Sequence, residues 1–85
     1  MIVFADTSGL FAVLDAADVN HPAGQRIWKE LMAASEASEA QVVTTNYILV
    51  ELCALAQRRL GMDALRAIEE EIVPALQISD LTRFK

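Results

Sequence analysis

Two carboxylates stand out in this chain by the company they keep. Asp6 directly follows the apolar run Met1-Ile2-Val3-Phe4-Ala5, and Glu51 is the only ionisable carboxylate between Tyr47 and Ala56. An acid at the end of a parallel strand points into the crevice where open α/β sheets bind ligands. Glu51 lies in a segment apolar nearly all round, which predicts a mostly buried helix. Its neighbours at helical spacing are Tyr47, Ile48, Ala54 and Leu55, so no cation of its own helix pairs with it. A half-buried carboxylate without a partner is costly. It calls for a distant arginine such as Arg26 or Arg66, a place one turn inside the solvent edge, or a bound divalent cation. Two carboxylates converging with water suit Mg²⁺ or Mn²⁺, hard cations that take oxygen ligands. The chemistry such a site predicts is metal-assisted phosphodiester hydrolysis, in which the ion lowers the pKa of the attacking water and holds the phosphate in line. The structural alternative for Asp6 is a helix N-cap, worth about 1 kcal/mol. Thr7 and Ser8 could cap equally well, which would leave Asp6 freer.

The elements that must bring these acids together can be read from the apolar pattern. Met1 to Ala5, without polar alternation, predicts a strand buried on both faces of a parallel sheet. Asp6-Thr7-Ser8 then offers N-caps for a helix carrying Leu10, Phe11, Val13 and Leu14. After a polar loop from Asp15 to Asn20, His21-Pro22 opens a second helix, with proline where its missing N–H is harmless. Ala23, Ile27, Trp28, Leu31 and Met32 form its apolar stripe, and the pattern fades between Ala33 and Ala40. Val42-Val43-Thr44 predicts a second strand, Thr45-Asn46 a cap, and Tyr47 to about Leu60 a helix closed by Gly61 at C′. Asp63 can cap a further helix that Pro74 ends, and Ala75 to Ile78 reads as a third strand. Strands alternating with helices predict a three-layer α/β/α fold with a short parallel sheet, a single domain over residues 1–85. Asp6 and Glu51 would then meet at one end of the sheet.

Composition narrows the function. The chain has 85 residues, 54% hydrophobic and 22% charged, with net charge −5. One small domain of that size has a stability of roughly 4 to 13 kcal/mol. Its acidity argues against gripping nucleic acid through a broad basic face. The lone Cys53 excludes a disulfide framework and a cysteine zinc site, and predicts a reducing, cytoplasmic setting. No apolar stretch reaches the ~18 residues of a membrane span, and no basic segment precedes the first apolar run as in a signal peptide.

Val3-Phe4-Ala5-Asp6-Thr7-Ser8 and Thr44-Thr45-Asn46-Tyr47-Ile48-Leu49-Val50-Glu51 resemble the first and second acidic motifs of PIN-domain nucleases, particularly the bacterial VapC-type toxins. Asp18-Asn20-His21-Pro22 and the Trp28 helix are similar to that family too, so the resemblance covers nearly the whole chain, as the N-terminal part of a PIN domain. It implies a Mg²⁺- or Mn²⁺-dependent endoribonuclease acting on RNA, usually dimeric and neutralised by a small antitoxin protein. By position, Asp6 and Glu51 would be the catalytic metal ligands, with Ser8 and Thr7 as polar support around Asp6. The family has further aspartates on later strand-helix units, and a fourth strand beside the first. Without that strand, Ile2 to Ala5 would present an open apolar edge, which predicts self-association through it.

The remaining polar residues have simpler readings. Asp80 after the third strand reads as a turn or cap rather than a ligand, and Asp15 and Asp18 as solvated loop residues. His21 reads as a cap, Trp28 as core, Met32 and Met62 as fillers of core gaps or a helix junction, and Glu69-Glu70-Glu71 as a solvated face. Arg58 and Arg59 could contact phosphate, although the dipole at their helix C-terminus explains them as well. Two other functions compete: an inactive half-domain serving as a binding or dimerisation module, and a phosphatase of the haloacid-dehalogenase kind. The latter needs a second aspartate two residues after the first, where this chain has Ser8.

Overall fold

The computed structural model describes residues 1–79. Its elements run β1 (Ile2–Phe4), α1 (Thr7–Leu14), α2 (His21–Glu36), β2 (Gln41–Thr45), α3 (Asn46–Arg59), α4 (Met62–Ala67), a π-helical turn (Ile68–Ile72), a 3-10 turn (Val73–Ala75) and β3 (Gln77–Ser79). The three strands form one parallel sheet in the order β1-β2-β3, so the fold is the α/β arrangement that the strand-helix alternation predicts. Val3 is registered with Val42, and Thr44 with Ile78.

The core is helical. Leu10 and Phe11 from α1, Leu52 and Ala56 from α3, and Ile68 and Ile72 from the π-helical turn form one buried cluster. Leu52 is fully buried. Trp28 is half-buried and packs against the cluster from α2. Met32 is half-buried, whereas Met62 lies 66% exposed at the start of α4 and fills no core gap. Glu69, Glu70 and Glu71 are exposed, as a solvated face should be.

Local boundaries follow from identifiable residues. Ala33 and Ala34 are strong helix formers, so α2 does not fade there and continues to Glu36. It closes where Ser38 takes a left-handed φ of 59° and the amides of Glu39 and Ala40 bond to the Ala34 carbonyl, at 2.8 and 3.3 Å. Gly61 ends α3 with φ 88°, and its N–H bonds the Ala56 carbonyl at 3.0 Å. A Cβ at Gly61 would meet nothing within 4 Å, so the left-handed backbone alone favours glycine there. Pro74 offers no N–H and its ring crowds the carbonyl four residues earlier. The chain accommodates this by widening, and the Val73 N–H reaches the Ile68 carbonyl. The single helix read over this stretch is therefore α-helical only to Ala67.

β1 differs from the fully buried strand that its composition predicts. Val3 is half-buried on the side of Val42, which is 2% exposed, but Ile2 and Phe4 alternate to the other face and are 72% and 57% exposed. Its bonds to β2 use the Met1 carbonyl and the Ala5 N–H, each at 2.8 Å. Among the described residues no strand lies on its other side. An apolar groove of about 420 Å³ opens beside it, lined by Phe4, Val13, Ile27, Trp28 and Leu31, with Asp6 and Ser8 among its polar residues.

Candidate functional site

Asp6 ends β1 and begins α1 in a single step. Its backbone is extended (φ −101°, ψ 172°), and its Oδ1 accepts the Gly9 N–H at 2.8 Å and the Ser8 hydroxyl at 3.3 Å. Asp6 itself, rather than Thr7 or Ser8, is therefore the N-cap, which satisfies an amide the helix would otherwise leave bare. Gly9 takes part in that arrangement because a Cβ there would stand 3.0 Å from Asp6 Oδ1. The sequence offered a signal for it, a small residue three positions after a capping aspartate.

Glu51 reaches the same rim from the next strand-helix unit. Thr45 is the N-cap of α3 and its hydroxyl accepts the Ile48 N–H at 3.2 Å, which starts the helix directly at the carboxyl end of β2. Glu51 follows about one and a half turns later. Thr7 Oγ1 donates to Glu51 Oε1 at 3.3 Å, linking the first residue of α1 to α3. Thr7 thus supports Glu51 rather than Asp6, and Ser8 is the hydroxyl that supports Asp6, together with the Gly9 N–H. Thr44 holds the two strands together below the rim: it is 1% exposed, and its hydroxyl donates to the Ala5 carbonyl at 2.8 Å. That contact escapes sequence reasoning, because Thr44 reads simply as a strand residue.

Burial at Glu51 corrects an expectation. The acid is exposed, and its bond is to Thr7 rather than to Arg26 or Arg66. The reason lies in α3, which buries only Leu52 and Ala56 and turns Tyr47 and Val50 outward at 63% and 68% exposure. No desolvation penalty therefore demands a cation. What remains is placement at one rim: Thr7, next to Asp6 in the chain, donates to Glu51, while Asp6 Oδ2 and Glu51 Oε2 accept no hydrogen bond among the described residues. Carboxylate oxygens of this kind, beside the Thr7 and Ser8 hydroxyls, are the donor type that suits a hard and largely hydrated cation such as Mg²⁺ or Mn²⁺. Among the described residues there is no group of three or more His, Cys, Asp or Glu that could hold a metal.

The other polar residues are accounted for by structure. Asp15 Oδ1 accepts the Ala17 N–H at 2.9 Å and Asp18 Oδ1 the Asn20 N–H at 2.7 Å, so both order the loop at the far end of α1. His21 Nδ1 lies 2.7 Å from the Ala12 carbonyl and must carry a proton there, since a carbonyl only accepts. Together with Gln25 Nε2, 2.6 Å from the Val13 carbonyl, it satisfies carbonyls at the end of α1 that the helix leaves unpaired. Burial pushes the Cys53 thiol up from its ordinary value, and the half-buried side chain packs against the core cluster. Arg58 and Arg59 are exposed in the last turn of α3, about 10 to 12 Å along the axis from Glu51 at 1.5 Å per residue. Asp80 lies outside the described residues.

A parallel sheet whose first two strands each feed a helix, with an acid from each unit at the carboxyl rim, is an α/β arrangement of the kind that the resemblance to PIN domains implies. Comparison with solved structures agrees. The chain superposes on Mycobacterium tuberculosis VapC20, described as a sarcin-ricin loop cleaving toxin, with a TM-score of 0.72 and 28% identity over 98% of this chain. It spans 58% of the length of that protein. No protein-family model and no curated protein matches the sequence. The chain has the VapC-type PIN fold.

Proposed function

We propose that the chain acts as a PIN-type endoribonuclease of the toxin-antitoxin kind, hydrolysing RNA phosphodiester bonds with Mg²⁺ or Mn²⁺ held by Asp6 and Glu51. The observation that carries this reading is the Thr7–Glu51 hydrogen bond, which ties the helix that Asp6 caps to Glu51 at one rim of the sheet. Likeness to a protein described as a sarcin-ricin loop cleaving toxin supports it. When bound, the cation supplies a water of lowered pKa and neutralises charge on the phosphate. The chain's own residues fix the ligand geometry: Gly9 and Ser8 hold one oxygen of Asp6, and Thr7 holds one oxygen of Glu51. A cation held by Asp6 and Glu51 would offset negative charge at the rim, so a net charge of −5 is compatible with an RNA substrate. Arg58 and Arg59 are the residues we assign to a flanking phosphate. A small antitoxin protein is the partner that this reading carries with it, and a reducing cytoplasm its setting. Among the described residues no helix is long and apolar enough to cross a membrane.

One observation favours a second reading, an inactive module that binds a protein or dimerises. Among the described residues no third His, Cys, Asp or Glu joins Asp6 and Glu51 in a group that could hold a metal. Titration with Mn²⁺ by calorimetry on wild type, Asp6→Ala and Glu51→Ala separates the two. Heat lost in either variant, with RNA cleavage abolished by EDTA, supports the nuclease. Equal weak heat in all three chains, without cleavage, leaves the module.

A further inference from the structure

Thr44 is the one buried polar side chain among the described residues. A threonine has a single O–H to donate, and an unpaired polar group inside a protein is costly, so the direction of that donor is specified. It goes to the residue before Asp6. The register of β1 on β2 ends with Phe4 against Val43, and one further step sets Ala5 beside Thr44. There the Ala5 N–H bonds the Val43 carbonyl at 2.8 Å, and the Ala5 carbonyl accepts the Thr44 hydroxyl at 2.8 Å. Both backbone groups of Ala5 are therefore fixed on β2, although β1 has already ended.

The Ala5 carbonyl and the Asp6 N–H share one rigid peptide plane. By holding that plane, the Thr44 hydroxyl sets the direction in which Asp6 leaves the sheet. On the other strand a single peptide bond joins Thr44 to Thr45, whose hydroxyl caps α3 at the Ile48 N–H, and α3 carries Glu51. The two acidic units are thus linked below the rim through one hydrogen bond with a buried donor. Their other link, from Thr7 to Glu51, is exposed and 3.3 Å long, so water competes for it. The Thr44 link is the stiffer of the two. Stiffness matters for a cation such as Mg²⁺, which demands close to ideal geometry from its oxygen ligands.

We propose that Thr44 is a positioning residue of the metal site: its hydroxyl, bonded to the Ala5 carbonyl, sets the relative placement of Asp6 and Glu51 that lets them share one divalent cation. The inference rests on the nuclease reading. Thr44 touches neither cation nor RNA, and acts through the Ala5–Asp6 peptide and the cap of α3.

The test compares wild type with Thr44→Val, which lacks the donor at nearly equal volume, and Thr44→Ser, which retains it. Val42→Ala is the control for packing, since Val42 lies two residues earlier on the same buried face of β2 and offers no hydroxyl. Mn²⁺ affinity is read by calorimetry, and the stability of each metal-free chain by urea titration. Thr44→Val should weaken Mn²⁺ binding about 3- to 10-fold, the worth of one hydrogen bond, which is less than the loss usual for groups bonded directly to a ligand. Thr44→Ser should stay within about twofold of wild type. Val42→Ala should lose stability and still bind Mn²⁺ as wild type does. If Thr44→Val does not fold, Thr44→Ala carries the same expectation. Equal Mn²⁺ affinity of wild type and Thr44→Val overturns the proposal, as does an equally large loss in Thr44→Ser or in Val42→Ala, either of which would make the effect one of packing. Mn²⁺ heat indifferent to Asp6→Ala and Glu51→Ala also overturns it, and then it is the nuclease reading that has failed.

Discussion

Thr7 and Glu51 are 44 positions apart in the chain, yet the hydroxyl of one donates to the carboxylate of the other at 3.3 Å. The bond is exposed and long, so its stabilising value lies at or below the lower end of the usual ~0.5 to 1.5 kcal/mol. Its consequence is directional, because it holds the Glu51 side chain toward α1 rather than out along α3. Thr7→Val keeps the shape of the side chain and removes the donor. We expect unfolding free energy to change by less than about 1 kcal/mol in a urea titration. Mn²⁺ affinity by calorimetry should fall about 3- to 10-fold, corresponding to roughly 0.7 to 1.4 kcal/mol. An unchanged Mn²⁺ affinity would leave Thr7 with no part in orienting Glu51.

Gly9→Ala sets two effects of similar size against each other. Alanine within α1 gains about 0.5 to 1 kcal/mol over glycine from backbone entropy and helix propensity. The added Cβ, however, would lie 3.0 Å from Asp6 Oδ1 and push on a cap worth about 1 kcal/mol. Stability should therefore stay within about 1 kcal/mol of wild type. Divalent-ion binding should still weaken, because the same displacement rotates the Asp6 carboxylate. A circular-dichroism melt paired with Mn²⁺ calorimetry checks both halves, and a variant that binds Mn²⁺ like wild type would show the cap to be irrelevant to the site.

Leu52 neighbours Glu51 in sequence but faces the opposite way, fully buried between α1 and the π-helical turn. Leu52→Ala should cost about 2 to 5 kcal/mol, a large share of what a chain of this size possesses. We expect a midpoint drop of 10 °C or more by the ~4 to 8 °C per kcal/mol usual for small domains. A loss under about 1 kcal/mol would mean that the α1–α3 core is not as tightly packed as its burial indicates.

These cases mark what the sequence discloses and where it stops. The strand-helix alternation, the Asp6 rim position and the Gly61 stop are legible because each is a local pattern with a local cause: an apolar run, a capping residue, a left-handed φ. The burial of Glu51 is misjudged because helical periodicity reports which residues are apolar, not whether anything lies opposite them. Tyr47 and Val50 are apolar and exposed all the same. The same shortfall explains β1, whose continuous apolar run predicts cover on both faces although Ile2 and Phe4 have it on neither edge nor face among the described residues. Thr7 is assigned to the wrong acid for a related reason, since its partner is chosen by the register between two distant units. The cap on Asp6 and the widened turn before Pro74 belong to the other class, being decided within four or five residues.

The flank of β1 that no strand covers among the described residues leads to the last expectation. Since Met1 and Ala5 spend their backbone groups on β2, the N–H and C=O of Ile2 and Phe4 point away from the sheet, beside two exposed apolar side chains and the apolar groove. An edge of this kind is a template for another strand. We expect two copies to pair β1 against β1 about a two-fold axis near Val3, Ile2 opposite Phe4 of the second copy, which closes the contact and stops it from propagating. Phe4→Lys places a charge in the seam. It should shift the population to the 9.3 kDa monomer in multi-angle light scattering, while a Lys at Val19, 89% exposed in the loop between α1 and α2, should leave the mass unchanged. A wild-type chain that is monomeric at every concentration measured would show that β1 tolerates its open edge, and the seam described here would not exist.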